Sequence, residues 1–441
     1  MGKYSASAIH GFLRQQRWLI TLSCLFVIIM SLFIASQVRA EDMDLQQLVD
    51  EALRNSPELH AAKSQVSASE YRIPQVKTLP DPLFTFGYQN EGFRKYTYST
   101  SEDAQWMFSA SQTVPFPGKL ALKGQAASKE SESIDANYEA LQLKTISKVK
   151  ELYFDLHTTY KFIDLIRERT ALFNRVEDAA VARYSTGKGS QQEVLMAQTE
   201  KYMLLEKEEM LRQKIQSLEA ALNTTVGRPA DAPLGRPADT APSMLPYTIS
   251  DLIKIASERS PEIAAKDKMI GSAEAKVAFA KKDYIPDFTI AGSYFARGNS
   301  FQDMWSLTTT INVPIFYRTK QRHAVNEAEA SLNAARSEKE SIRLSIASAI
   351  KDNYATLTAS DRLMSLYRDG LIPKSRQDVE LALSGYTTGT VDALTVITRL
   401  KSVIDFEISY WGQFAEHEKA VARLEAIAGL SHNTTKMPTG N

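Results

Sequence analysis

Cysteine is almost absent from this sequence of 441 residues, in which Cys24 is the only one. A chain with one cysteine forms no internal disulfide and no cysteine-based zinc site, and it tolerates an oxidising compartment. An excess of charge of either sign is missing as well, because 52 Lys and Arg balance 52 Asp and Glu. This balance gives no electrostatic reason to expect nucleic acid as a partner.

Sequence motifs of enzymes and metal sites are missing too. The chain has no G-x-S-x-G, no H-E-x-x-H and no Walker pattern. Its six histidines are scattered, and His417, on a predicted helix seam, is expected to be packed or to face a lumen. We therefore expect no catalytic residue, no bound metal and no cofactor. A channel fits this expectation because tight binding slows the passage of cargo.

Long apolar runs are limited to one place near the N-terminus. Residues 18–36 are uncharged and follow a basic segment, and Val38-Arg39-Ala40 then fits the small-x-small rule for signal cleavage. We expect a secretory signal peptide over residues 1–40, and lipidation of Cys24 stays an open alternative. No comparable apolar run follows, so only β-strands would carry the mature chain across a membrane.

Five short motifs occur twice, in the same order and about two hundred residues apart. They are Ser56-Pro57-Glu58 and Ser260-Pro261-Glu262, Leu79-Pro80-Asp81 and Ile285-Pro286-Asp287, Val114-Pro115 and Val313-Pro314, Tyr184-x-x-Gly187 and Tyr386-x-x-Gly389, and Leu222 to Gly227 and Leu424 to Gly429. Chance matches would not keep this order and spacing, and the period is far longer than that of a solenoid. The chain is therefore predicted to contain two copies of one structural half.

Each half is predicted to contain short helices, two strands and a long helical hairpin. Between the halves, five prolines in residues 229–246 rule out a helix, so this segment is expected to be extended. The predicted boundaries are a signal peptide at 1–40, a first repeat at 41–226, a Pro-rich connector at 227–247, a second repeat at 248–430 and a flexible C-terminal tail at 431–441.

The predicted long helices are unusual. Residues 119–184 contain no proline, and residues 318–386 contain only Pro373. Helices of this length extend roughly 100 Å, which is too long for an ordinary globular domain. In residues 396–424 two apolar seams run side by side in steps of three and four. Two seams indicate a helix with a neighbour on each side, as in a helical tube, and the wide apolar face of an ordinary bundle helix is the alternative.

Four segments of about ten residues alternate between apolar and polar positions, as half-exposed strands do. In the last of them Trp305, Leu307 and Ile311 share one face, whereas Ser306 and Thr308 share the other. Their length suits tilted membrane strands, and a half-buried soluble sheet is the alternative. Closing a membrane barrel takes about eight strands, and open edges are not tolerated in lipid. Strands that cross a membrane here would therefore require an oligomer.

These features resemble those of the TolC-like outer-membrane efflux factor family. The resemblance covers nearly everything after residue 43 and is carried by the duplicated halves and by several motifs. The motifs are Asn55-Ser56-Pro57-Glu58, Pro80-Asp81-Pro82, Gln112-Thr113-Val114-Pro115-Phe116-Pro117-Gly118-Lys119 and the Tyr-x-x-Gly turns at Tyr184 and Tyr386. Of these, the stretch Pro115 to Leu120 looks most like the branch that serves heavy-metal exporting pumps.

The resemblance implies a mainly α fold with membrane β-strands. Three chains with four strands each would form a transmembrane β-barrel of about twelve strands, continuous with a long periplasmic α-helical barrel. The implied function is an outer-membrane channel subunit of a tripartite efflux or secretion system in a Gram-negative-type envelope. It would be a passive conduit and not an enzyme. The implied partners are two further copies of this chain in a homotrimer, a periplasmic adaptor protein, an inner-membrane pump and outer-membrane lipid. On the residues alone, a membrane-tethered coiled-coil scaffold of the envelope is the alternative.

The resemblance also implies site residues. In the family, the Tyr-x-x-Gly turns form the periplasmic tip, where the tunnel closes and the adaptor docks. This implies a gate at Tyr386, Gly389 and Asp392, and an adaptor contact at Tyr184 and Gly187. Ordinary turn chemistry, in which Gly takes a positive φ and Tyr packs, is the alternative.

This chain departs from the family's pattern next to the second turn. Thr395 and Thr398 stand where some members carry acidic rings, and Val391 stands where an arginine can sit. The acidic gate ring is therefore in doubt, and Asp392 is the nearest carboxylate. We expect Tyr386 and Asp392 to hold the tip shut through packing and polar contacts between neighbouring hairpins.

Overall fold

The computed structural model describes residues 43–430, and the expected signal peptide, its cleavage site, Cys24 and the C-terminal tail lie outside them. The first half contains helices α1 (Leu45–Asn55) and α2 (Pro57–Lys77), strands β1 (Leu83–Gln89) and β2 (Gln105–Val114), and helices α3 (Lys119–Ser185) and α4 (Gln191–Val226). The second half follows the same order with helices α5 (Ile249–Arg259) and α6 (Pro261–Lys282), strands β3 (Asp287–Ala296) and β4 (Met304–Asn312), a π-turn (Tyr367–Leu371) between α7 (Gln321–Leu366) and α8 (Ile372–Thr388), and α9 (Ala393–Ala428).

The four strands form one antiparallel sheet in the order β1-β2-β3-β4. The register places Phe86 beside Phe108, Phe108 beside Tyr294, and Tyr294 beside Trp305, so aromatic side chains share one face. The opposite face carries hydroxyl groups instead. They include Ser109 and Ser293, whose Oγ atoms lie 2.9 Å apart, and Thr113 and Thr289, whose Oγ1 atoms lie 3.0 Å apart. The predicted alternation of the strands is present on both faces.

The long helices lie side by side in one layer. Helix α3 has 67 residues and is therefore about 100 Å long. Near the sheet it packs between α2 and α6, and farther from the sheet it packs between α4 and α9. Helix α7 packs against α6 and α9, and α8 continues beside α9. Helix α9 thus has α3 on one side and α7 and α8 on the other, as its two apolar seams predict. Among residues 43–430, none of the helices combines the length and the apolar character that crossing a membrane demands.

A belt of short elements surrounds the middle of the long helices. Helix α1 packs on α3 and α4, and α5 packs on α7 and α9. Two glycines with positive φ end the long hairpins here, and each lies so close to a neighbouring carbonyl that no Cβ would fit. Gly227 meets the carbonyl of Asn55, and Gly429 meets that of Arg259. As a result α4 ends where α2 begins, and α9 ends where α6 begins.

The Pro-rich connector runs along this belt without a helix or a strand, as its prolines predict. Glu418, which is buried on α9, accepts hydrogen bonds from the backbone N–H and the hydroxyl of Ser243 at 2.7 and 2.6 Å. The neighbouring His417 is buried too, with Nδ1 at 2.9 Å from Glu418 and Nε2 at 3.1 Å from Asp361. His417 is thus packed, which is one of its two expected settings, and Glu418 fixes the connector to α9.

A buried ion cluster joins three helices between the belt and the far ends of the hairpins. Glu407 of α9 is 3% exposed and accepts two hydrogen bonds from Arg169 of α3, at 3.0 and 2.5 Å. Arg376 of α8 donates two more to the same carboxylate, at 3.0 and 2.5 Å. We call Arg169, Arg376 and Glu407 the buried ion cluster. It ties α8 and α9 to α3.

Candidate gate at the tip of the helical hairpins

The tip consists of two turns at the ends of the hairpins that lie farthest from the sheet, at residues 186–190 and 389–392. Gly187 and Gly389 have φ values of +70° and +87°, which explains why glycine ends both Tyr-x-x-Gly motifs. The next helices begin with side-chain caps. Ser190 accepts the N–H of Glu193 at 3.4 Å, and Asp392 accepts the N–H of Thr395 at 2.7 Å.

Tyr386 is the centre of the contacts at the tip and is 1% exposed. Its hydroxyl donates a hydrogen bond to Oε2 of Glu193 at 2.9 Å, across to the other hairpin. Arg183, at the end of α3, donates from Nη1 to the Tyr386 carbonyl at 3.0 Å and places its guanidinium 5.0 Å from the centre of the Tyr386 ring. We call Arg183, Glu193 and Tyr386 the gate cluster. It links the two hairpins of one chain through packing, a cation–π contact and hydrogen bonds.

The environment of the gate cluster keeps Tyr386 protonated. Burial raises the pKa of the Tyr386 phenol to about 12, with Glu193 adding to the rise and Arg183 opposing it. Because the pKa of Tyr386 in the folded state is higher than the usual value of 10.0, the protonated phenol stabilises the fold. This contribution to the free energy of unfolding is complete below pH 10 and is lost as the pH rises towards 12. At neutral pH, therefore, the phenol is neutral and donates its hydrogen bond to Oε2 of Glu193.

The predicted gate residues do not all belong to this cluster. Gly389 lies beside it, since a Cβ there would come within 3.3 Å of an Arg183 side-chain nitrogen. Asp392 instead caps α9, and hydrogen bonds from the hydroxyl and N–H of Thr395 lower the pKa of its carboxyl. Asp392 thus shapes the turn, and its carboxylate bonds within its own helix.

The predicted adaptor residues are accessible. Tyr184 is half exposed, and nothing lies within 4 Å of the position that a Cβ on Gly187 would occupy. Sequence reasoning missed Arg183 and Glu193 as partners of Tyr386. The available signals were the position of Arg183 beside the first Tyr-x-x-Gly motif and that of Glu193 three residues after a capping serine.

A groove lies between the first turns of α4 and α9, next to the tip. Its volume is about 720 Å³. Its lining includes exposed Leu195 and Leu394, and the ion pair between Glu200 and Lys401 crosses it with 2.9 Å between Oε1 and Nζ. The groove therefore offers apolar surface between α4 and α9, and such a groove between two helices is the kind of surface that a partner helix fills.

Comparison with known proteins agrees with this architecture. A family model described as outer membrane efflux protein matches residues 48–228 and 252–428. The pyoverdine export outer membrane protein OpmQ of Pseudomonas putida is 24% identical over 412 residues, covering 88% of this chain and 86% of that protein. The cobalt-zinc-cadmium resistance protein CzcC of Cupriavidus metallidurans is 22% identical over 397 residues, covering 88% and 91%.

The fold has solved counterparts as well. The crystal structure of the outer membrane protein VceC from Vibrio cholerae superposes with a TM-score of 0.75 at 18% identity, covering 89% of this chain and 97% of that one. The TolC-like resemblance of the sequence is thus confirmed, together with the predicted combination of a helical barrel fold and a β domain. Because the family model matches both halves and most of the chain, the chain belongs to the outer membrane efflux protein family, the channel proteins of the outer membrane.

Proposed function

We propose that three copies of this chain form one passive duct from the periplasm to the cell exterior. The open sheet is the observation that supports this proposal most directly. Its outer strands β1 and β4 each pair on one side only within the described chain, and its aromatic face is exposed on Phe84, Phe86 and Trp305. In lipid, an open sheet requires partners at both edges. Three sheets joined edge to edge would give a barrel of about twelve strands, which is within the range of membrane barrels.

In this duct the gate cluster holds the tip closed. The contacts of Tyr386 with Glu193 and Arg183 join the α3–α4 hairpin to the α8–α9 hairpin. Each contact is a single hydrogen bond or cation–π contact worth about 1 kcal/mol, so a partner protein that binds the tip has enough free energy to break them. Gly389 allows the close approach of Arg183, and Asp392 defines where the α8–α9 hairpin turns.

The groove between α4 and α9 supports the proposed docking of a periplasmic adaptor. A helical hairpin of the adaptor would lie in it, with Tyr184 and Gly187 at its end, and an inner-membrane pump would complete the tripartite assembly. The names of OpmQ and CzcC refer to pyoverdine export and to cobalt-zinc-cadmium resistance. CzcC supports the likeness to the heavy-metal branch, which stays a prediction. The duct carries out transport without catalysis.

Purified protein in planar bilayers tests the proposed function. We expect a heat-modifiable trimer in the outer-membrane fraction, and we expect that trimer to produce small single-channel currents in the bilayer. The currents should be small because the tip is closed without an adaptor. A monomer in the inner-membrane fraction, or a trimer that conducts no current at all, would contradict the proposal.

The variant Tyr386→Phe should conduct more often than the wild type. The substitution removes the hydroxyl that bonds to Glu193 and keeps the buried ring. Loss of about 1 kcal/mol of closing free energy would raise the open population roughly fivefold, and adding Arg183→Ala should raise it further. Open probability from single-channel recordings is the measurement, with trimer yield checked alongside.

Tyr184→Phe is the matched control for this prediction. It removes the same hydroxyl from the same tip, but Tyr184 is half exposed and lies outside the gate cluster. We expect it to conduct like the wild type. Equal open probabilities for Tyr386→Phe and Tyr184→Phe would place the gate at another part of the tip.

A further inference from the structure

The loop between β1 and β2, residues 90–104, is built around one amide side chain; we call it the outer loop. It lies at the end of the sheet opposite the helices, because α2 leads into β1 and β2 leads into α3. The Asn90 amide donates to the carbonyls of Gly92 and Lys95, both at 2.7 Å, and its oxygen accepts the N–H of Thr97 at 2.8 Å and the hydroxyl of Tyr88 at 2.7 Å. These bonds give the loop a defined shape.

The aromatic face of the sheet continues into this loop without a gap. Trp106 lies 4.8 Å from Tyr88, measured between ring centres. Tyr88 in turn lies 5.1 Å from Tyr96, and Tyr96 lies 6.1 Å from Tyr98. Tyr88 and Trp106 share the apolar face of the sheet and Tyr96 stacks on Tyr88, so the loop leans over this face, which we expect to meet lipid. Aromatic residues favour this level of a membrane, where one end of the ring is apolar and the other is hydrated.

Beyond this aromatic stack the loop exposes one apolar side chain and two cations. Phe93 is fully exposed, with Arg94 and Lys95 next to it, also exposed. Within residues 43–430, neither cation has a carboxylate within 4.0 Å, and Glu91 is the acidic residue closest in sequence. The loop carries two further carboxylates, Glu102, which pairs with Arg297 at 3.2 Å, and the exposed Asp103. Two free cations therefore stand beside a bare aromatic ring at the outer edge of the apolar face.

We propose that the outer loop binds the phosphate groups of lipid in the outer leaflet. Phe93 and Tyr96 lie among the upper acyl chains, and Arg94 and Lys95 bind phosphate, with the Arg94 guanidinium able to make two parallel hydrogen bonds. A bisphosphorylated glycolipid headgroup fits better than a zwitterionic one because it leaves a net negative charge for both cations. The inference rests on the proposed function in one respect, since it requires the sheet to cross the membrane with this loop outside.

The test measures binding of lipid A with two phosphates to the purified trimer in detergent, by competition with a fluorescent lipid A. Arg94→Gln with Lys95→Gln should weaken binding on the order of tenfold, given the usual contribution of a cation near an anionic lipid surface. The wild type should also prefer lipid A with two phosphates over lipid A with one, and the double variant should lose this preference. Phe93→Ser should weaken the binding of both forms of lipid A to the same extent.

Lys63→Gln with Lys276→Gln is the matched control, because both lysines are exposed on α2 and α6, away from the loop. We expect this pair to bind lipid A like the wild type. Equal losses in both double variants, or no loss in either, would overturn the proposal, as would competition by inorganic phosphate alone. Single-channel currents of every variant separate this result from the proposed function. A variant that conducts normally but binds lipid A poorly supports the inference, whereas a wild type without currents contradicts the duct itself.

Discussion

Leu307→Arg should sharply reduce the yield of assembled channel. Leu307 lies near the middle of β4, on the face that carries Trp305 and Ile311, and 69% of its surface is exposed in the single chain. We expect this face to meet lipid, where an arginine at the midplane costs about 2–4 kcal/mol. A trimer carries three copies of the substitution. The measurement is the amount of heat-modifiable trimer in the outer-membrane fraction, relative to wild type.

Thr308→Arg is the matched control on the opposite face. Thr308 is also exposed in the single chain, but it shares its face with Ser306 and Thr310, which we expect to line the lumen. It should assemble nearly normally. Ile311→Arg should fall between the two, because Ile311 is next to the end of the strand and therefore nearer the membrane–water interface, where an arginine costs less. Equal trimer yields for Leu307→Arg and Thr308→Arg would reverse or abolish the assigned orientation.

Glu407→Ala should be the most destabilising single change in the helical part. It leaves the guanidinium of Arg169, whose side chain is 9% exposed, with only the exposed carboxylate of Glu168 at 3.1 Å. Removing one partner of a buried pair costs up to about 3–5 kcal/mol, and we expect the loss to lie at the lower end because Glu168 still pairs with Arg169. The midpoint of chemical unfolding, followed by circular dichroism of the helices, measures this loss.

Two variants show whether the buried charge is the cause. Arg376→Ala removes the third member of the buried ion cluster, but the Arg376 side chain is 56% exposed, so we expect a loss below about 1 kcal/mol. Arg169→Met with Glu407→Met replaces the pair by apolar groups and should recover most of the stability. A double variant as unstable as Glu407→Ala would show that side-chain packing, and not the uncompensated charge, accounts for the effect.

The sequence predicts the long helices and the strands well because their signals are local. A run without proline and a steady apolar seam define α3, and alternation over ten residues defines each strand and its two faces. The π-turn was not foreseen, although its cause is in the sequence. Pro373 has no N–H to bond with the carbonyl four residues earlier, and the N–H of Ile372 bonds to Tyr367 five residues back. The sequence pattern predicts one helix over residues 318–386, whereas the helix changes its hydrogen bonding at 367–371.

The gate shows where sequence reasoning stops. Tyr386 stands out because its motif is repeated, but its partners Arg183 and Glu193 lie about two hundred positions away and meet it only through the packing of the two hairpins. For Asp392, the sequence itself contains a signal for a different role. An aspartate directly before a long helix is a typical N-cap, and this is the role that the structure gives it. Long-range pairs of this kind depend on tertiary geometry and have no periodicity to reveal them.

The joints at Gly227 and Gly429 have a mechanical consequence. Helix α3 runs unbroken from the sheet to the tip, so a rotation at one end also rotates the other end. At the joints, by contrast, α4 meets α2 and α9 meets α6 with no continuous helical hydrogen-bond ladder between them. We therefore expect α4 and α9 to shift more easily than α3 once the contacts that tie them to α3 are broken. We expect the tip to widen in this way without rotating the strands at the other end of α3.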